Sequence, residues 1–160
     1  MKVYTHYLEE GACFRWRTLL QFGNSWDIIG SVVMKNPGTA APKCQVTDKN
    51  TLKLLSFFDN TMYDWFEFSP DSTMNCVGDL FAYYYDKSNK NDLQGVVQIF
   101  NLFYLREGDL GKALELHKKN KFPFASEEEI IQNDISQLKA PIYLGFAGLA
   151  FDKYYADRAK

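Results

Sequence analysis

The sequence predicts an α/β protein, arranged as a three-layer α/β/α sandwich with a mainly parallel central sheet. Apolar runs at residues 28–35, 96–101 and 141–145 are typical of buried parallel strands. The segments between them have apolar residues at helical spacing, and strands that alternate with helices form parallel sheets. A chain of 160 residues is expected to form one domain, residues 1–160.

Residues 1–24 are predicted to form an antiparallel hairpin at the edge of this sheet, with its turn at Glu9-Glu10-Gly11. The second strand of the hairpin alternates between apolar and other residues with a period of two, which predicts a single apolar face. The members of this predicted face are Phe14, Trp16, Thr18, Leu20 and Phe22.

Helices are predicted where a capping residue precedes apolar residues at helical spacing. Thr47 or Asp48 is expected to cap the first helix, Asp71 the second and Asp109 the third. A Ser-Glu-Glu-Glu capping box at residues 126–129 opens a fourth helix. A last helix is predicted after the third parallel strand.

Composition restricts the classes of function. With 20 acidic and 18 basic residues, the formal charge is −2, so no basic field favours non-specific binding to duplex DNA. The sequence has no signal peptide and no apolar run long enough to span a bilayer, so a cytoplasmic protein without a membrane partner is expected. Neither a metal nor another cofactor is predicted, because metal-ligand spacings and glycine-rich nucleotide motifs do not occur.

Polar residues follow the predicted parallel strands, at the edge of the sheet where ligands commonly bind. The first strand ends in Lys35-Asn36-Pro37-Gly38-Thr39, and the second ends in Asn101. An asparagine amide both donates and accepts hydrogen bonds, which suits the polar edge of a nucleobase, an amide or a positioned water. The alternative is that each amide only caps a nearby turn.

These residues define a candidate site. Asn36 is the candidate catalytic residue, because it could position a water or bind the ligand. Asn101 is expected to bind a polar edge, and Arg106 to hold an anion; the alternative for Arg106 is an exposed ion pair with Glu107 or Asp109. The predicted ligand-binding residues are Lys35, Pro37, Gly38, Thr39, Asn101, Arg106 and Gly145.

Two segments resemble motifs of an uncharacterised family of small bacterial and phage proteins. Residues 33–40, Val-Met-Lys-Asn-Pro-Gly-Thr-Ala, are similar to its hydrophobic-x-Asn-Pro-Ser-Thr-Ala segment. Residues 97–106 resemble its second motif, a strand followed by Asn-Leu-Phe-x-x-Arg. The order and spacing of the motifs agree over residues 14–150, but this family brings no assigned activity.

The same layout is more distantly similar to the uracil-DNA glycosylase superfamily. Asn36-Pro37-Gly38 matches its water-positioning loop, Asn101 matches its base-reading asparagine, and Leu144-Gly145-Phe146 loosely matches its third strand end. The resemblance implies that superfamily's fold and hydrolysis of a glycosidic bond. It also implies a nucleobase, nucleotide or single-stranded nucleic acid as partner.

The sequence departs from that superfamily after its last predicted strand. The superfamily places a histidine-containing loop there, which stabilises the leaving base, and no such loop follows Phe146. Loss of one such electrostatic donor can lower a rate by roughly a hundredfold or more. The competing hypothesis is therefore a non-catalytic interaction protein that keeps the fold without the chemistry.

Overall fold

A computed structural model describes residues 1–120, 127–145 and 153–159. The described strands are β1 (Lys2–Glu10), β2 (Ala12–Phe22), β3 (Ile28–Met34), β4 (Pro42–Gln45), β5 (Trp65–Phe68), β6 (Gly95–Asn101) and β7 (Ile142–Gly145). The described helices are α1 (Lys49–Leu55), α2 (Ser72–Tyr84), α3 (Leu110–Lys119), α4 (Glu127–Ser136) and α5 (Lys153–Arg158), with a short 3₁₀ turn at Lys90–Asp92. The strands form one sheet in the order β4-β5-β1-β2-β6-β3-β7.

The predicted fold class is wrong, because this sheet is mixed rather than mainly parallel. Strands β6, β3 and β7 are parallel neighbours, as their apolar runs indicate. The remaining strands join through antiparallel pairings, which make up four of the six pairings among the described residues. Antiparallel strands extend a sheet without crossover helices. The structure is therefore not the α/β/α sandwich of the uracil-DNA glycosylase superfamily.

The N-terminal hairpin forms, but its predicted position at the edge of the sheet is wrong. Strand β1 pairs with β5 on one side, and β2 pairs with β6 on the other, so the hairpin lies in the interior of the sheet. Residues 14–22 of β2 are all buried. A strand that is buried on both faces belongs inside a sheet, because an edge strand leaves part of its backbone and side chains to solvent.

A β-bulge at Arg17 divides β2 into two parts that face opposite sides of the sheet. Arg17 has a φ of 53°, and the register between β1 and β2 shifts beside it. Trp16 stacks on His6, whereas Leu20 packs in the core cluster that contains α2. The single apolar face predicted for this strand is therefore wrong, since one extra residue reverses the alternation.

Helices α1, α2 and α3 pack on the sheet through buried side chains, and three predicted caps are confirmed. The side chains of Asp48, Asp71 and Asp109 accept hydrogen bonds from the first turns of α1, α2 and α3. The capping-box serine, Ser126, lies outside the described residues, as does most of the segment predicted to begin the last helix. No helix in the described ranges is long and apolar enough to cross a membrane.

A buried histidine lies beneath the loop that precedes β5. His6 is fully buried between Trp16 and Trp65, with ring centroids 5.3 and 3.9 Å away. Its Nε2 lies 3.5 Å from the Asp59 carboxylate. Burial acts to raise the pKa of Asp59, but interactions with His6 and the Thr61 amide outweigh burial, so the pKa lies below its ordinary value of 3.8. The ionised carboxylate therefore stabilises the fold.

We expect this contribution to disappear in acid. A carboxylate whose pKa is lowered by folding stabilises the protein above its unfolded pKa, here 3.8, and the stability is lost as the pH falls through the lower folded pKa. Urea unfolding at pH 2–7 should show a smaller acid loss for Asp59→Asn than for the wild type. The exposed Glu10→Gln variant is the control and should keep the wild-type profile. An unchanged profile in Asp59→Asn would contradict this assignment.

Candidate functional site

A cavity of about 260 Å³ lies beyond the carboxyl ends of the three parallel strands. Five of the residues predicted to form the site line it, and the other predicted residues, Pro37, Thr39 and Arg106, do not. Its volume is slightly below the roughly 300–1,000 Å³ that drug-sized ligands occupy, so it suits a small ligand. The five predicted residues in the lining are Lys35, Asn36, Gly38, Asn101 and Gly145.

The parallel register brings these strand ends level. Met34 is paired with Asn101 of β6 on one side and with Gly145 of β7 on the other. A Cβ atom at Gly145 would lie 2.3 Å from the Met34 sulfur, so glycine allows the two strands to approach at this point. The chain that follows Met34 therefore places Lys35 and Asn36 beside Asn101 in the cavity wall.

Asn101 lies in this wall at the end of β6. The residue is only 7% exposed, lines the cavity and makes no side-chain hydrogen bond with a described residue. The Asn101 amide is thus available to a ligand in both its donor and acceptor roles.

Asn36 has a divided role. Its Nδ2 donates to the carbonyl oxygens of Pro37 and Glu107, at 3.0 and 2.7 Å, and so ties the loop after β3 to the loop before α3. These two hydrogen bonds match the alternative prediction from the sequence, in which the amide caps a nearby turn. Its Oδ1 has no hydrogen-bond partner among the described residues, so one acceptor remains for a ligand or a water.

Arg106 donates hydrogen bonds to the loop that follows β3 and does not line the cavity. Its Nε and Nη2 donate to the carbonyl oxygens of Ala40 and Thr39, each at 2.8 Å. It forms no ion pair with Glu107 or Asp109 in the described part of the chain. The structure therefore gives Arg106 a different role from the predicted anion contact: it fixes the segment that follows Gly38.

Sequence reasoning missed Arg15, which reaches the cavity from the antiparallel half of the sheet. The side chain is 4% exposed, and its Nε and Nη1 are buried without a hydrogen-bond partner among the described residues. Burial lowers the pKa of its guanidinium to about 10, an effect that Asp71 opposes and Arg106 reinforces. Arg15 is nevertheless a cation at neutral pH. The signal for Arg15 in the sequence was its position, as a basic residue, between the apolar residues of β2.

The remaining charges in the lining are mixed. Lys35 forms no ion pair with a described residue. Asp71 caps α2 by accepting from the Met74 amide at 2.8 Å, and Glu107 accepts from the Asp109 amide at 3.0 Å. Both carboxylates therefore have local structural roles, whereas the Arg15 and Lys35 side chains donate no hydrogen bond to a described residue. Among the described residues, no group of three His, Cys, Asp or Glu side chains is placed to hold a metal ion.

A larger cavity, of about 520 Å³, is lined by Arg17, Trp26, Phe57 and Phe58. In this cavity, hydrogen bonds to other residues of the protein engage most of the Arg17 guanidinium. Arg17 donates from Nε and Nη2 to the Phe58 carbonyl oxygen, at 3.2 and 2.8 Å, and from Nη2 to Gln98 at 2.8 Å. In the described part of the chain, Arg15 makes no hydrogen bond through its guanidinium, whereas only Nη1 of Arg17 lacks a partner, so the smaller cavity is the stronger candidate site.

Comparison with known proteins gives this chain no relative from which a role could be transferred. No protein-family model matches it, and neither does any curated protein or solved structure. The geometry of the cavity is therefore the basis on which a function can be assigned.

Proposed function

We propose that the protein binds a nucleobase, a nucleotide or a similar small polar ligand in the cavity at the ends of β3 and β6. The observation that carries this proposal is Asn101, which lines the cavity and whose amide has no hydrogen-bond partner among the described residues. An amide presents a donor and an acceptor side by side, which complements the polar edge of a base. The cavity, of about 260 Å³, admits a small ligand.

We expect ligand binding to raise the thermal stability of the protein. A panel of free bases, nucleosides, nucleotides and short single-stranded DNA should contain a compound that raises the melting temperature. A ligand at one hundred times its dissociation constant stabilises a protein by roughly 2.7 kcal/mol. Asn101→Ala should reduce that shift. The proposal is contradicted if no compound in the panel stabilises the wild type.

The two asparagines should respond differently to replacement. Asn36→Ala removes two bonds that hold the loops together, so it should lower the free energy of unfolding by about 1–3 kcal/mol. Asn101→Ala removes an amide that has no partner among the described residues, so stability should change little. Ligand affinity should instead fall severalfold to about a hundredfold. Urea unfolding and calorimetric titration separate these effects, and equal stability losses would argue against a ligand-binding role for Asn101.

If the protein is an enzyme, the reaction that we propose is hydrolysis of a glycosidic bond in the bound ligand. The free Oδ1 of Asn36 supports it, because this atom could accept a hydrogen bond from an attacking water beside the ligand. The competing form is a non-catalytic interaction protein, supported by a described lining that contains no histidine. Release of free base from nucleosides or single-stranded DNA, lost in Asn101→Ala, would favour the enzyme. Binding without base release would favour the interaction protein.

A further inference from the structure

We infer that the ligand of this cavity carries an anionic group, a phosphate or a carboxylate, and that Arg15 binds it. The inference deepens the proposed function and rests on it, because Arg15 and Asn101 line the same cavity. A ligand that contacts both residues has a polar edge for the amide and negative charge for the guanidinium. A nucleotide or a carboxylated base has both features, whereas a free neutral base has only the first.

The guanidinium of Arg15 belongs to a buried side chain in the wall of the cavity. Arg15 is 4% exposed, and its Nε and Nη1 have no hydrogen-bond partner among the described residues. Its guanidinium carbon lies 5.6 Å from the centre of the Phe68 ring, which does not satisfy those N–H groups. Arg17, two positions later, differs: its Nε and Nη2 donate to Phe58 and Gln98, and only its Nη1 is without a partner among the described residues. Arg15 has no such partner in the part of the chain that the structure describes.

A buried cation without a hydrogen-bonded counter-charge destabilises a folded protein, because the charge has lost its water, and the Asp71 carboxylate compensates for only part of that loss at Arg15. Such groups are characteristic of binding sites. The guanidinium is also suited to anions by its shape, since its planar array of N–H groups donates paired hydrogen bonds to phosphate or carboxylate oxygens. These properties make an oxyanion the ligand group that best complements Arg15.

Other groups in the cavity lining favour an anion beside Arg15 and disfavour an anion elsewhere in the cavity. Lys35 adds a second cation to the lining, and Thr73 belongs to the first turn of α2, where the helix dipole favours negative charge. The carboxylates of Asp71 and Glu107 also line the cavity and repel an anion that strays from Arg15. The site is therefore expected to select an anionic group at one defined position, rather than any polyanion.

The experiment is a calorimetric titration with matched neutral and anionic ligands. Each nucleoside is compared with its 5′-monophosphate, uracil is compared with uracil 6-carboxylate, and inorganic phosphate is titrated alone. The proteins are the wild type, Arg15→Met, Arg15→Lys and the exposed-site control Lys112→Met. In the wild type and the control, at least one anionic ligand should bind ten times more tightly than its neutral counterpart. The pair that shows the preference identifies phosphate or carboxylate as the bound group.

Arg15→Met should abolish this preference, and Arg15→Lys should keep part of it, because lysine retains the charge without the fork of donors. The melting temperature of unliganded Arg15→Met should equal or exceed that of the wild type, so the variant remains suitable for titration. Equal affinity of the wild type for neutral and anionic partners would overturn the inference and leave the proposed function standing. A preference that persists in Arg15→Met would also overturn it. Failure of every ligand to bind the wild type would overturn both.

Discussion

Replacing Gly30 with alanine is expected to lower the free energy of unfolding by about 2–6 kcal/mol, as the sum of backbone strain and overpacking. Gly30 lies in β3 with a φ of 156°, and an added Cβ would lie 2.3 Å from Phe81 and 2.8 Å from the Pro141 carbonyl oxygen. Neither neighbour can easily move. Phe81 is in the core, and the Pro141 oxygen accepts a hydrogen bond from the Ser31 amide at 2.9 Å.

The matched control is Gly11→Ala in the hairpin turn. Gly11 also has a positive φ, 66°, but a Cβ added there meets nothing within 4 Å. Backbone strain alone should therefore cost about 1–2 kcal/mol. Urea unfolding of both variants separates strain from overpacking, and a loss at Gly30 no larger than that at Gly11 would contradict the predicted close contact between β3 and α2.

Arg17→Met is expected to destabilise the protein by about 2–4 kcal/mol, because it leaves a buried carbonyl and an amide oxygen without their charged donor. The guanidinium of Arg17 holds the Phe58 carbonyl at 2.8 Å and lies 4.9 Å from the centre of the Phe100 ring. Relief of the buried charge offsets part of this loss. The measurement is the free energy of unfolding in urea.

Arg15→Met provides the comparison for Arg17→Met. Both substitutions remove a buried arginine from the same strand, but Arg15 donates no hydrogen bond to a described residue. Its loss should leave stability unchanged or raised. Similar destabilisation by the two substitutions would mean that Arg15 is held by the fold in the way that Arg17 is, which would contradict their different roles.

Some of this structure could be predicted from the sequence because the signals are local. The continuous apolar runs of β3 and β6 identify parallel strands, and aspartates identify the beginnings of three helices. Strand ends that lie level in a parallel sheet bring Asn36 and Asn101 to one cavity. These inferences need only the periodicity of short segments and the geometry of parallel strands.

The remainder depends on pairings between distant segments. Strands β4 and β5 have no regular alternation, and they belong to the sheet because β1 offers β5 an antiparallel partner. The bulge at Arg17 places a non-glycine residue at positive φ, which no residue preference predicts. This bulge allows both Arg15 and Thr18 to line the cavity, although regular alternation would send them to opposite faces. The bulge therefore explains both why the sequence did not reveal Arg15 as a site residue and why the single apolar face predicted for β2 is wrong.

Strand β6 is antiparallel to β2 on one side and parallel to β3 on the other. Side chains from both neighbours complete the cavity, so it exists only after pairings between distant parts of the chain have formed. Such pairings are slow to form in folding. A molecule that has opened between β2 and β6 has lost the cavity even if its helices remain intact. A bound ligand would therefore slow hydrogen exchange throughout the central strands, and not only at the amides nearest to it.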